Sequence, residues 1–192
     1  NHYRVPRICF INKMDRVGAS FEKSFASIEK RLSDRPVALQ LPVGSEGAFK
    51  GIVDLVTMKA HIWPDSDDPQ ASPDITSIPK DIEDDCKLER EQLIETVAEF
   101  DDQLMEAFLD GNEIDASLLK KAIRKATIAF KIVPVFCGSA FKNKGVRLLL
   151  DAVVDYLPSP LDLSDVEGFS ADDGEQKIKR KRDNTSPLSA LA

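Results

Sequence analysis

Phe10–Asp15 reads F-I-N-K-M-D, and the apolar run Arg7–Ile11 leads into it. A run that is apolar on both faces belongs in a parallel sheet covered on both sides. Its abrupt change to an amide, an ammonium and a carboxylate admits two readings. Asn12 and Asp15 can cap local backbone groups in an ordinary turn. Alternatively, they form a binding site, because open α/β sheets take ligands at the carboxyl ends of their strands. Ser20 is a suitable N-cap for a helix to about Leu32, with Phe21, Phe25, Ile28 and Leu32 on one face. The first unit is therefore a buried strand over Val5–Ile11, a polar turn and a helix.

A second unit of the same kind lies far along the chain. Lys131–Cys137 is apolar throughout, G-S-A-F-K-N-K-G follows at Gly138–Gly145, and Val146–Leu157 has helical periodicity up to Pro158 and Pro160. The texture between the two units differs. Pro36–Val43 alternates, Phe49–Val56 and Met58–Trp63 follow after short turns, and the three predict an antiparallel meander. Pro64–Pro79 is loop-like in composition. A single long helix is expected over Asp81–Leu109, with Leu93, Val97, Phe100, Leu104 and Phe108 as its stripe and Gly111 as its stop. Asp115 can cap a further helix that turns Leu118, Leu119, Ala122, Ile123 and Ala126 inward. The fold class expected is α/β: a parallel-sheet domain interrupted by an inserted α+β subdomain.

The 192-residue chain is 42% hydrophobic, enough for a core, and its net charge of −7 argues against wrapping nucleic acid or lying on a membrane surface. No apolar run reaches the roughly 18 residues of a membrane span. Cys9, Cys86 and Cys137 are scattered, which suits a reducing compartment, and His2 and His61 stand in unrelated contexts. No metal or His-based catalytic centre is expected. Between Asp65 and Asp115 there are 18 acidic residues against 3 basic ones. This is either a solvated helix face or a docking surface for a basic partner.

The chemistry of the two turns fits guanine. Guanine presents N1–H and the 2-amino group side by side, and an ionised Asp15 can accept from both. Such charge-assisted bonds are worth roughly 1.5–3 kcal/mol each. Adenine offers neither donor, and a site built to pair them rejects the wrong partner by about 10⁴-fold. Asn12 can tie the turn and reach the base edge near N7. Lys13 and Lys142 can lay their stems on the two ring faces. A backbone N–H near Ser139–Ala140 can donate to O6.

Several stretches together resemble translation elongation factor G. They are N-K-M-D-R (Asn12–Arg16), G-A-S (Gly18–Ser20), L-P-V-G (Leu41–Gly44), F-K-G-I-V-D-L-V (Phe49–Val56), G-S-A-F-K-N-K-G (Gly138–Gly145) and L-L-D-A-V-V-D-Y-L-P-S-P-L-D (Leu149–Asp162). The resemblance covers nearly the whole chain in matching order. It implies the second half of a P-loop GTPase-type domain, binding GTP or GDP and acting on the ribosome in translocation, with Asn12, Lys13, Asp15, Ser139, Ala140 and Lys142 at the base. The insertion would meet the ribosomal stalk protein. A mitochondrial ribosome-recycling paralogue shares the same domain, and a non-catalytic stalk-binding module is the reading from another class. Tetracycline-protection and release-factor GTPases share the turns but fit the insertion less well.

The expected division is 1–33 and 131–162 for the GTPase-type domain, 34–130 for the insertion, 163–186 for a linker and 187–192 for the start of a β-barrel. Asn1 leads almost directly into a strand and P-L-S-A-L-A closes the chain, so an internal piece of a longer protein is expected. The sequence contains no G-x-x-x-x-G-K-[ST], and D-R-V-G at Asp15–Gly18 overlaps the base-reading turn. Catalytic residues and the magnesium site are therefore expected upstream, and this stretch alone is expected to hydrolyse no GTP. Lys177–Asn184 (K-I-K-R-K-R-D-N) resembles organellar members, so the mitochondrial matrix is the expected compartment, with bacterial cytoplasm as the alternative.

Overall fold

The computed structural model describes residues 5–32, 35–66, 68, 71–162, 166–169 and 176–180. The chain divides into Asn1–Leu157 and Pro158–Ala192. In the first unit the strand β1 spans Cys9–Ile11 and the helix α1 spans Phe21–Leu32. Strand β2 (Pro36–Ala38) is followed by β3 (Gln40–Val43), a 3-10 turn at Glu46–Ala48, β4 (Gly51–Asp54), β5 (Lys59–Ile62) and β6 (Asp74–Thr76). Helices α2 (Glu83–Ala98), α3 (Asp102–Leu109) and α4 (Ala116–Ile128) come next, and then strand β7 (Val133–Cys137) and helix α5 (Val146–Tyr156).

Two sheets organise this unit. In the parallel sheet β7 lies between β1 and β2, with Cys9 opposite Val135, Ile11 opposite Cys137, and Val37 opposite Pro134. All five residues of β7 are buried, as its apolar run requires. The other sheet is antiparallel, ordered β3–β4–β5–β6. Both sheets meet at Leu39. Its N–H donates to the Val135 carbonyl at 3.0 Å, while its own carbonyl accepts from Leu55 N at 3.0 Å. Next to it, buried Gln40 accepts from the Cys137 N–H through Oε1 at 3.3 Å.

The caps form as the sequence expects. Ser20 Oγ accepts from Lys23 N at 3.2 Å, and the Asp115 carboxylate accepts from Ser117 N at 3.0 Å. Gly111, at φ 68°, follows α3 in the left-handed conformation that a helix stop uses. Leu119, Ala122, Ile123 and Ala126 of α4 are buried, and Phe136 stacks on Tyr156 of α5 with ring centroids 6.2 Å apart. Burial pushes the Cys86 thiol up to about 11 and the Cys137 thiol further, so both serve as protonated core groups.

Several expectations need correction. The first strand is shorter than Val5–Ile11, since Val5 is 64% exposed and residues 8–10 are half-buried. Pro36–Val43 is two strands in two sheets, because the turn of the chain at Leu39 hands the backbone from β7 to β4. The expected single helix over Asp81–Leu109 breaks at Asp101. That residue is extended (φ −146°, ψ 110°) and its side chain accepts from Leu104 N at 3.1 Å, a capping bond that competes with helix continuation. As a result Phe108 leaves the stripe and is exposed. Pro64–Pro79, expected as loop, contains β6, paired antiparallel with β5.

In the second unit a 3-10 turn at Pro160–Asp162 is tied by Ser159, whose N–H and hydroxyl both donate to Asp162 Oδ2. Strands β8 (Val166–Phe169) and β9 (Lys177–Arg180) pair antiparallel, where the sequence suggested a polar linker. Alternation is weak there, and cross-strand pairs such as Glu167–Lys179, at 2.9 Å, supply the match. The expected barrel start at 187–192, the rest of the linker, and Asn1 and His2 lie outside the described residues, as does the Leu32 side chain.

Candidate guanine-binding site

The two polar turns, far apart in sequence, meet at the carboxyl ends of β1 and β7 because those strands are paired in register. Gly138 N donates to the Ile11 carbonyl at 3.0 Å, and Met14 N donates to the Gly138 carbonyl at 3.1 Å. Met14 is almost wholly buried and anchors the first turn from below. Lys13 takes a left-handed backbone at φ 66°, an uncommon conformation for a residue with a side chain. That geometry brings Asn12 Oδ1 within 2.8 Å of Lys13 N and 3.0 Å of Ala140 N. One amide oxygen therefore joins the two turns.

The second turn closes on itself. Ser139 and Lys144 exchange both backbone hydrogen bonds, at 2.9 and 3.0 Å. Gly138 has no room for a side chain: a Cβ there would lie 2.8 Å from Phe10 Cζ and would also strike the Lys144 carbonyl. Lys142 N donates to Ser139 Oγ at 3.3 Å, and the buried Ser139 hydroxyl is the strongest influence lowering the Asp15 carboxyl.

Asp15 is the chemical centre of the arrangement. The Ser139 hydrogen bond, with the nearby charges of Arg16 and Lys142, holds its carboxyl below the usual carboxylate range, against the opposing effect of burial. It is therefore ionised at neutral pH. Its side chain is only 7% exposed, and Oδ1 is buried with no hydrogen-bond partner. A buried charged acceptor without a donor is costly, so this oxygen is suited to a ligand that brings N–H groups. On the rim, Arg16 lies over the exposed Phe141 ring at 5.5 Å, and the side chains of Lys13 and Lys142 are exposed.

All six residues singled out from sequence thus come together, but not in every role assigned. The N–H groups of Ser139 and Ala140 are engaged by Lys144 and Asn12, so the expected donor to a base oxygen is not free at either residue. The loop satisfies its own backbone first. The hydroxyl of Ser139, rather than its N–H, is what acts on Asp15. Sequence reasoning missed Glu46, whose Oε1 accepts from Gly18 N at 2.8 Å. No local signal marks it, because the contact spans 28 residues.

Open α/β sheets take their ligands at the carboxyl ends of parallel strands, where these two turns meet. The chain belongs to the family of the elongation factor Tu GTP binding domain, whose model matches residues 1–159. It is similar in fold to a crystal structure from Thermus thermophilus, with a TM-score of 0.70 over 83% of this chain at 23% identity. The chain spans about a quarter, 24%, of the length of that structure.

Proposed function

We propose that this chain is the guanine-reading part of an elongation factor G-type GTPase, which binds and hydrolyses GTP on the ribosome to drive translocation. The observation that carries the base assignment is the buried, unpaired Oδ1 of an ionised Asp15 at the end of a parallel strand. Guanine N1–H and its 2-amino group supply the two donors that a carboxylate accepts in a fork. The Ser139 hydroxyl helps keep the carboxylate ionised, and Asn12 ties the two turns together. Lys13 and Lys142 flank the opening, with stems suited to cover the ring faces.

The elongation factor G assignment is supported by the sequence resemblance and by the block of antiparallel sheet and helices between β2 and β7. Exposed Asp84, Asp85, Glu91 and Glu95 on α2, and Asp102 and Glu106 on α3, give that block an acidic surface. They support docking of a basic partner, for which the ribosomal stalk protein is proposed. The same surface is what favours the second reading, a stalk-binding module without catalysis. The proposed compartment is the mitochondrial matrix, on the resemblance of Lys177–Asn184. The residues here carry the base and not the phosphates, so hydrolysis, with its magnesium, is assigned to parts of the protein that supply a phosphate loop.

The test is Asp15→Asn in the intact protein. Xanthine carries a carbonyl where guanine carries its amine, and an Asn amide can donate to it. Guanine preference is expected to fall by about 10³-fold or more, with xanthosine nucleotides becoming the better ligands. Unchanged guanine preference in equilibrium binding sinks the base-reading role. Stalk binding that ignores the bound nucleotide would favour the second reading.

A further inference from the structure

The turn between β3 and β4 reaches both base-reading loops. From its first side, Glu46 Oε1 accepts from Gly18 N at 2.8 Å, where the N-K-M-D-R loop leaves for α1. From its second, the Phe49 carbonyl accepts from Lys144 Nζ at 3.3 Å. Lys144 is the residue whose backbone closes the Ser139 loop, and the Ser139 hydroxyl acts on the Asp15 carboxyl. Ile52, at the start of β4, presses its Cδ1 on Gly145, where a Cβ would lie 2.6 Å away.

The turn itself is rigidly mounted. Phe49 is buried, Lys50 N donates to the Val43 carbonyl at 3.0 Å, and Trp63 N donates to the Lys50 carbonyl at 2.9 Å. Glu46 also sits at φ 51°, a left-handed backbone that costs a non-glycine residue energy. A residue held in an unfavourable conformation while its side chain spans to another loop is placed by its surroundings for that contact.

The geometry points to Glu46 as a positioning residue for base recognition: through it and Lys144, the antiparallel subdomain sets the spacing of the two guanine-reading turns. This rests on the guanine reading above. Its consequence is that nucleotide release and base discrimination depend on a sheet that lies outside the two base-reading turns.

The experiment uses the intact protein and two probes, GDP and IDP; the hypoxanthine base of IDP lacks the 2-amino group. In Glu46→Ala, GDP dissociation is expected to accelerate about five- to tenfold, the worth of one hydrogen bond. The GDP-over-IDP preference falls severalfold with it. Glu46→Gln keeps an acceptor oxygen and restores most of both. Lys144→Met keeps the stem but not the donor and moves both readouts in the direction of Glu46→Ala; it also serves if Glu46→Ala does not fold. Equal weakening of GDP and IDP, with the preference intact, would reduce Glu46 to a structural role and overturn the inference. So would unchanged GDP release in both variants. Asp15→Asn separates the two levels. If it leaves guanine preference unchanged, the underlying reading fails. If it shifts the preference while the Glu46 and Lys144 variants do nothing, only this inference fails.

Discussion

The strand ends at Asn12–Asp15 and Gly138–Lys142 treat polar groups quite differently from the helical arm α2–α4. In the arm, buried polarity is used up. Half-buried Arg90 donates to the carbonyls of Leu55 and Val56 through Nη1 and to that of Ile114 through Nη2. Thr127, buried in α4, donates back to the Ile123 carbonyl at 2.7 Å, and Asp101 and Asp115 are consumed as caps. At the strand ends, by contrast, Asp15 Oδ1 is buried with no donor. Saturated groups hold an architecture together, whereas an unsaturated one is kept for something that arrives.

This contrast can be broken most forcefully at Gly138. Gly138→Val puts a side chain where Phe10 and the Lys144 carbonyl already lie. It is expected to cost about 3 kcal/mol of stability and to weaken guanine nucleotide binding by more than about 100-fold. Denaturant unfolding and equilibrium binding check the two parts, and near-normal GDP affinity would show that the turn is not preorganised.

Arg90→Ala tests the other side. Three carbonyls lose their donor, so about 2 kcal/mol of stability should go. GDP affinity is expected to stay within about twofold, because the three carbonyls that Arg90 serves lie outside both base-reading turns. A large loss of GDP affinity without unfolding would erase the distinction between the regions.

The smallest effect concerns Asp101, whose carboxyl is lowered first by the Lys125 hydrogen bond and then by its capping bonds. Asp101→Ala is expected to cost about 1 kcal/mol, the usual value of an N-cap. Because the folded-state value lies below the ordinary 3.8, this contribution is fully present above about pH 4. It is lost as pH falls through the lower, folded-state value. Urea midpoints at neutral and acid pH should therefore differ between the two proteins only at the higher pH. An unchanged difference at acid pH would mean that the cap is not a carboxylate effect.

Much of the site was legible because its chemistry is local. An apolar run ended by N-K-M-D, a second ended by G-S-A-F-K, and a Ser at the start of the next helix are all short-range signals. The misreadings share a cause. Whether Pro36–Val43 was one strand or two depended on which partner each half found. The break at Asp101 depended on a capping bond defeating a continuous apolar stripe. Nothing in the neighbourhood of the Ser139 and Ala140 N–H groups announces that Lys144 and Asn12 take them.

The sequence by itself determined which polar residues close the two apolar runs, where α1 and α4 are capped and where the acidic charge collects. These follow from side-chain chemistry and from periodicity over a few residues. Only the tertiary structure decided that Asn12 and Ala140, 128 residues apart, share a hydrogen bond, that Asp15 keeps one oxygen unpaired, and that Glu46 reaches Gly18. The first of these contacts exists because β1 and β7 lie side by side in one sheet. The pairing of strands distant in the chain is set by how the whole core packs, not by the residues that later profit from it.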